Sequence, residues 1–376
     1  MIGNGFDFSR NPLLVFWETT KACPLSCRHC RASAISHPLE DELSHEEGIK
    51  LIDDIAAFGN PRPVVIMTGG DCMMRSDLVE LVKEGKERQL SIALSPAVSS
   101  LLESGKLMEL RNLGIRSISL SLDGSRAETH DSIRGIQGHF GETIKAASRL
   151  VAMGFSVQIN TTVMPDNVEQ LADIALILRQ LGIRVWEVFF LVSVGRGEHL
   201  KELTAEQNDD VCNFLAEMTR HGFTVRTVEA PFYRRILAKR ARGAPMAHEI
   251  DGEAHGELYR RLMERASLLL GLPQRDVVSS NVPTRDGKGI IFISQNGDVY
   301  PSGFLPFALG NIRSQSITDI YRNNRTLISI RNGEFKGRCG VCEYRDVCGG
   351  SRSRAFSHSG DVLAEDPGCG YIPHSS

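Results

Sequence analysis

Lys21-Ala-Cys-Pro-Leu-Ser-Cys-Arg-His-Cys30 places Cys23, Cys27 and Cys30 in a C-x3-C-x2-C run. Three thiolates this close can hold three corners of a cube-shaped iron–sulfur cluster. A complete cage needs four ligands, so three leave one iron open for a substrate or cofactor. Structural zinc is the rival, although it normally takes four protein ligands in paired C-x2-C spacing. Three unrelated buried cysteines are the bland alternative.

The residues around the run alternate between strand and helix signals. Leu13–Thr20 is a short apolar run read as a strand, and the cysteine loop follows its C-terminal end. Ser44-His-Glu-Glu47 is a capping box that opens a helix with Leu51, Ile52, Ile55 and Phe58 on one face. Strands are predicted over 64–68, 91–95, 117–122, 156–163 and 185–192, with helices between them. Asn167 is the expected cap of the helix ending at Leu181, and Thr204-Ala-Glu-Gln207 is a second capping box. Six strand–helix units in a row argue for a parallel sheet with helices outside, curved or closed into a barrel. In such barrels reactive groups gather at the C-terminal strand ends. The cysteine loop, Gly69-Gly70-Asp71, Ser95, Asp123, Asn160 and Val194-Gly-Arg-Gly197 all fall there.

Residues 230–285 break the pattern, with a basic run from Pro231 to Arg242, a polar stretch from about Ala244 and a helix from Leu258 to Leu270. They read as a bridge between a barrel over 10–229 and a C-terminal domain over 286–376. Asn296-Gly297 between Ile290–Ser294 and Val299-Tyr-Pro is a hairpin signal that asks for positive φ at both turn positions. Cys339, Cys342, Cys348 and Cys369 then form C-x2-C-x5-C…C, four thiolates and a closed site that zinc or an iron–sulfur cluster could use.

Taken together, these motifs resemble the radical S-adenosylmethionine (SAM) enzymes with a C-terminal SPASM/twitch-like domain, over about residues 10–372. The resemblance implies a partial (β/α)6 barrel, TIM-like, followed by a small Cys-rich domain with a β-hairpin. It implies that Cys23, Cys27 and Cys30 hold a [4Fe–4S] cluster whose open iron is chelated by SAM. Reductive cleavage of SAM then gives a 5′-deoxyadenosyl radical that takes hydrogen from a substrate. Gly69, Gly70 and Asp71 match the motif that grips SAM's amino group, with Asp in place of the common Glu and Cys72 where Pro is frequent. Ser95 and Asp123 match polar residues near the ribose and the methionine part. Arg134, in His130-Asp-Ser-Ile-Arg-Gly135, matches an arginine near SAM's carboxylate, a bidentate partner in chemical terms. Asn160 and Leu191 are candidates for the methionine and adenine ends. Cys339, Cys342, Cys348 and Cys369 match an auxiliary [4Fe–4S] site. Ser302 and Ser351 stand where relatives often carry further cysteines, so one auxiliary cluster is expected. Cys72 and Cys212 are left without a role.

Three segments, Phe189–Gly197, Cys342–Gly350 and Gly360–Cys369, resemble the branch of alternative haem biosynthesis enzymes. That likeness implies a tetrapyrrole substrate losing carboxyl-bearing side chains or their carbon dioxide, with Arg196, Arg234 and Arg235 as candidate partners of its carboxylates. Maturation of a ribosomally made peptide is the second reading; only about ten residues precede the first strand, so a leader-binding domain is expected to be a separate chain. A non-catalytic iron–sulfur or zinc protein is the third, against which the Gly-Gly-Asp and Arg134 motifs argue. An electron donor such as a ferredoxin or flavodoxin is implied, and oxygen sensitivity is expected of an open iron. A net charge of −3 over 376 residues gives no reason to expect nucleic acid or an anionic membrane. With no signal peptide and clustered cysteines, a reducing cytoplasm is the expected location.

Overall fold

The computed structural model describes residues 6–241, 255–273 and 284–374. Seven strands run in chain order through the first part: β1 Leu14–Glu18, β2 Val64–Thr68, β3 Ser91–Leu94, β4 Ser117–Ser121, β5 Ser156–Val163, β6 Val185–Phe190 and β7 Thr224–Val228. Each pairs in parallel with the next. The six strands read from the sequence are present. β7 was missed because Thr224-Val-Arg-Thr-Val228 is short, half polar and follows directly on a strongly signalled helix.

Four strands follow: β8 Arg285–Asp286, β9 Gly289–Ile293, β10 Asp298–Tyr300 and β11 Gly310–Asn311. β9 lies parallel to β1, with Leu14 opposite Ile290, so the C-terminal segment is stitched onto the first strand of the barrel. The path runs β11-β10-β9-β1-β2-β3-β4-β5-β6-β7, and among the described residues nothing closes the barrel between β7 and the other end of the sheet. The period-two alternation of each strand divides its side chains between two environments. Val15, Trp17, Met67, Leu120, Trp186 and Val188 are fully buried under the outer helices. Their neighbours point inward, and on β4 and β5 these are Ser117, Ser119, Ser121, Gln158 and Asn160, which gives the lumen a polar side.

Both capping boxes are formed, at Ser44 with Glu47 and at Thr204 with Gln207. Asn167 does not cap its helix. Its Oδ1 accepts from the Met164 N–H and its Nδ2 donates to the carbonyls of Asp123 and Thr162, which ties the end of β4 to the end of β5. The hairpin exists, but as a four-residue loop. The Gly297 N–H donates to the Ser294 carbonyl, and only Gly297 is left-handed, at φ +88°. Asn296 keeps a negative φ because one left-handed glycine after an ordinary turn already matches the strand twist.

The predicted bridging helix is present over Glu257–Leu270, while the polar stretch from 244 lies mostly outside the described residues. The basic run forms the helix Phe232–Ala241, and two of its cations have acidic partners: Arg235 lies 2.6 Å from Asp209 and Arg240 lies 2.5 Å from Glu217. Among the described residues no helix is long and apolar enough to cross a membrane.

Candidate active site

The cysteine loop crosses the C-terminal ends of the strands and is held there by backbone contacts from all sides. The Cys23 N–H donates to the Ile35 carbonyl at 2.7 Å, and the Asp71 N–H donates to Ala22 O at 2.7 Å. A Cβ on Gly70 would lie 2.3 Å from Ala22 O, so the Gly-Gly turn is glycine because the cysteine loop itself packs onto it. On the opposite side, Gly135 packs on Ser26 and the Arg28 N–H donates to Ile133 O. Gly195, at φ +57°, would place a Cβ 2.3 Å from Arg31 O and 2.6 Å from Cys30 O. Arg196 then clasps the loop, donating from Nε to Cys27 O at 2.9 Å and from Nη1 to Ala34 O at 2.8 Å.

Cys23, Cys27 and Cys30 open onto one cavity of about 730 Å³, the size range of cofactor and ligand sites. Gly69, Gly70, Ser95, Arg134, Asn160, Leu191, Arg196 and Arg234 line it as well. Three of the sequence-predicted contacts do not. The Asp71 carboxylate turns onto the next loop, accepting from the N–H groups of Met73 and Ala97 and from Ser99 Oγ. Asp123 is fully buried behind the wall, where it pairs with Arg134 and accepts from the Thr162 N–H. Arg235 faces the C-terminal cysteines, because successive helical residues are about 100° apart and Arg234 takes the cavity side.

The His130–Arg134 segment works as a support. The Asp123 N–H donates to His130 Nδ1, which fixes the proton of His130 on Nε2. That proton faces His139 Nδ1 at 2.9 Å, and His139 Nε2 donates to Val98 O at 3.0 Å. The chain is self-consistent with both rings neutral. Burial, and then Arg134, pushes His130 down to about 3, and burial lowers His139 as well. A histidine depressed on folding binds protons more readily when unfolded. Stability is therefore expected to fall as pH drops below about 6.5, by up to about 1.4 kcal/mol per pH unit for each ring. Urea unfolding at pH 7.5 and 5.5 should show that loss in the wild type and less of it in His130→Gln/His139→Gln.

Cys339, Cys342, Cys348 and Cys369 line a second, smaller pocket together with Arg235, Arg338, Arg345 and Tyr371. The N–H groups of Asp366 and Tyr344 lie 3.4 Å from the sulfurs of Cys339 and Cys342. Arg352 Nη2 lies 3.7 Å from Cys339 Sγ. Cys72 and Cys212 are fully buried in the hydrophobic core.

Sequence comparison bears directly on these two cysteine sites. The radical SAM superfamily profile matches residues 17–178, and the SPASM profile, described as an iron–sulfur cluster-binding domain, matches residues 285–344. An "AdoMet-dependent heme synthase" of Oleidesulfovibrio alaskensis is 36% identical over 96% of this chain and 87% of its own length. The chain belongs to the radical SAM superfamily. An "Fe-coproporphyrin III synthase" of Methanosarcina barkeri is 30% identical over 97% of the chain and 89% of its own length, so the chain sits close to the haem-biosynthesis branch. Among solved structures, Streptococcus suis SuiB bound to S-adenosylmethionine shares the fold at a TM-score of 0.66 and 14% identity, covering 96% of this chain and 78% of that one.

Radical SAM membership makes the protein an enzyme that uses a [4Fe–4S] cluster and SAM, and the SPASM domain brings auxiliary iron–sulfur binding. The residues present fit these groups. Three thiols share the large cavity with two guanidinium nitrogens, Arg134 Nε and Arg196 Nη2, that are buried without a hydrogen-bond partner among the described residues. At the second site four thiols are ringed by arginines, which suits the net negative charge of a cluster held by four thiolates.

Residues missed in the sequence also line the cavity. Arg31 pairs with Glu18 at 3.0 Å and lies 4.5 Å over the Phe292 ring. Glu229, Arg285 and Asp286 form the wall next to Arg234. None of them stands in a short motif: Glu229 follows the strand that was missed, and β8 is two residues long.

Proposed function

We propose that this radical SAM enzyme acts on an iron tetrapyrrole bearing carboxylate side chains, removing a side chain or its carbon dioxide. Cys23, Cys27 and Cys30 would hold the SAM-binding cluster, and Cys339, Cys342, Cys348 and Cys369 one auxiliary cluster. When bound, the cluster and SAM supply reductive cleavage and hydrogen-atom abstraction. The chain's own residues bind, orient and shield. Arg134 Nε and Arg196 Nη2 offer unsatisfied donors beside the cysteine loop, suited to SAM's carboxylate. Gly69 and Gly70 let the cysteine loop pack closely at that end of the cavity, and Asn160, held by Gln158 Nε2 at 2.8 Å, offers polar contacts on the β5 side. Asp71 and Asp123 act through others: Asp71 fixes the loop after β3, and Asp123 keeps Arg134 in place.

The observation that carries the substrate class is the arginine wall. Arg226, Arg234 and Arg285 line the cavity beyond the cysteine loop. Arg234 Nη1 and Arg285 Nε are buried with no partner among the described residues. Burial pushes both guanidiniums down to about 10. Buried unpaired cations are costly and are stabilised by a desolvated carboxylate. The similarity to enzymes named for haem and iron-coproporphyrin synthesis supports the same class.

The test uses anaerobic, cluster-reconstituted enzyme with SAM, a strong reductant and either an iron tetrapyrrole carrying propionates or a small ribosomal-type peptide. Tetrapyrrole binding by absorbance, 5′-deoxyadenosine release and a mass loss of carbon dioxide are expected with the first only. Arg234→Met is expected to weaken tetrapyrrole binding by about 10- to 100-fold, the worth of one charge-assisted hydrogen bond. Arg196→Ala is a poorer probe, since it also unclasps the cysteine loop. Turnover of the peptide with no tetrapyrrole binding would replace this reading by peptide maturation.

A further inference from the structure

On the cavity wall beside Arg234 and Arg285, Glu229 and Asp286 converge on one hydroxyl. Ser353 Oγ lies 2.9 Å from Glu229 Oε1 and 3.0 Å from Asp286 Oδ2, and Ser302 Oγ is 3.1 Å away. A hydroxyl has a single proton. It can satisfy one anionic oxygen, and the second contact is then repulsive unless a carboxyl carries a proton of its own. Asp286 Oδ2 also accepts from the Ser353 N–H at 3.1 Å, so that oxygen acts as an acceptor. Glu229 is surrounded by hydroxyls instead, with Ser351 Oγ 2.5 Å from Oε2, and a hydroxyl can accept as readily as it donates. Both carboxyls are more than nine-tenths buried and both line the cavity.

The backbone supports a special role for this position. Glu229 is one of three non-glycine residues with positive φ among those described, at φ +60°. Left-handed backbone at such a residue costs on the order of 1 kcal/mol and persists where the surroundings hold it. Here the Glu229 carbonyl accepts from Arg354 Nη1 at 2.9 Å. Burial, and then repulsion from Asp286, pushes the Glu229 carboxyl up to about 8.

We propose that Glu229 and Asp286 form a one-proton carboxyl pair that sets the charge of the arginine wall and so the affinity for an anionic substrate. With the proton in place the pair bears a single negative charge beside Arg234 and Arg285, and the wall is net positive. Without it the pair bears two negative charges, the positive charge of the wall drops by one, and a carboxylate ligand loses part of its attraction. The other charged or titratable groups around the pair are Arg354, which is compensated by Glu202 at 2.8 Å and Asp366 at 3.4 Å, together with Lys288, Arg352, Asp346 and Cys348 on the Arg285 side. The inference rests on the anionic-substrate reading above, and two readouts separate the two.

The first readout needs no substrate. Infrared difference spectra of the reconstituted enzyme between pH 7 and pH 9 should show the carbonyl stretch of a buried protonated carboxyl, lost in Glu229→Gln. The second is the dissociation constant of an iron tetrapyrrole tetracarboxylate, measured by absorbance over the same range. Wild-type affinity is expected to fall by up to about tenfold by pH 9, since one proton is linked to binding. Glu229→Gln, neutral at every pH and able to donate to the same serines, is expected to bind tightly with no such slope. Asp286→Asn provides a second variant should the first fold poorly. Absence of the infrared band, or an equal pH slope in Glu229→Gln, overturns the pair. No binding by the wild type at any pH overturns the tetrapyrrole reading, and the infrared arm still decides the pair.

Discussion

Gly195→Ala is expected to lose the iron of the N-terminal site while the C-terminal site stays loaded. The added methyl would sit 2.3 Å from Arg31 O and 2.6 Å from Cys30 O, distances that only movement can relieve. Both obstacles are backbone atoms of the cysteine loop, so no side-chain rotation makes room. The left-handed backbone, at φ +57°, adds roughly 1–2 kcal/mol of strain for any residue with a Cβ. The Arg196 N–H donates to Cys30 O at 3.0 Å, so displacing the turn also pulls away the clasp that holds the loop. Iron per protein should fall from about eight to about four, the content of one [4Fe–4S] cluster. The SAM-dependent change in the EPR signal of the reduced enzyme should disappear with it. The Cys23→Ala/Cys27→Ala/Cys30→Ala variant is the reference for that state. Full iron content in Gly195→Ala would mean that the loop relaxes without loss of its ligands.

Arg354→Met is expected to be the most destabilising single change, at about 3–5 kcal/mol, the usual cost of stripping the partner from buried charges. Arg354 is 2% exposed and lies on the helix Arg352–Ser359. Its guanidinium bonds Glu202 Oε2 at 2.8 Å, Glu229 O at 2.9 Å and Leu191 O at 3.3 Å, and it lies 3.4 Å from Asp366 Oδ1. Three of those acceptors belong to the barrel strands' C-terminal loops and one to the cysteine-rich segment. Removing it leaves Asp366 buried with no cation and Glu202 with only His358, at 3.4 Å, and it frees the carbonyl that holds Glu229 in its left-handed backbone. Anaerobic urea unfolding should show the lower midpoint. Arg354→Lys should recover part of it, since a single ammonium keeps the charge and loses the fork of donors.

The motifs legible in the sequence were those whose chemistry is local. Three cysteines within eight residues, two capping boxes and six apolar strand runs each work through neighbours along the chain, so spacing alone exposes them. β7 escaped because its register is set by β6 beside it, with Val185 opposite Thr224, more than by its own pattern. The glycines of Gly69-Gly70 and Val194-Gly-Arg-Gly197 were recognisable as turns. Their reason for being glycine was not, because the atoms they avoid lie about 50 and 165 residues away in the cysteine loop.

The sequence by itself determined the parallel α/β architecture, the two groups of cysteines and the radical SAM resemblance. Only the tertiary structure decided which charged residues reach the cavity. Arg234 and Arg235 are adjacent in the chain, yet one lines the large cavity and the other the C-terminal cysteines, because helical rotation separates neighbours. Asp71 and Asp123 stand at strand ends as expected, yet each turns its carboxylate into the protein, where N–H donors and a guanidinium outcompete the open lumen. The Glu229–Asp286 pair joins residues 57 positions apart through a serine from a third segment. Their proton is held because burial and mutual repulsion make two adjacent negative charges too costly, and that energy exists only once the chain has folded.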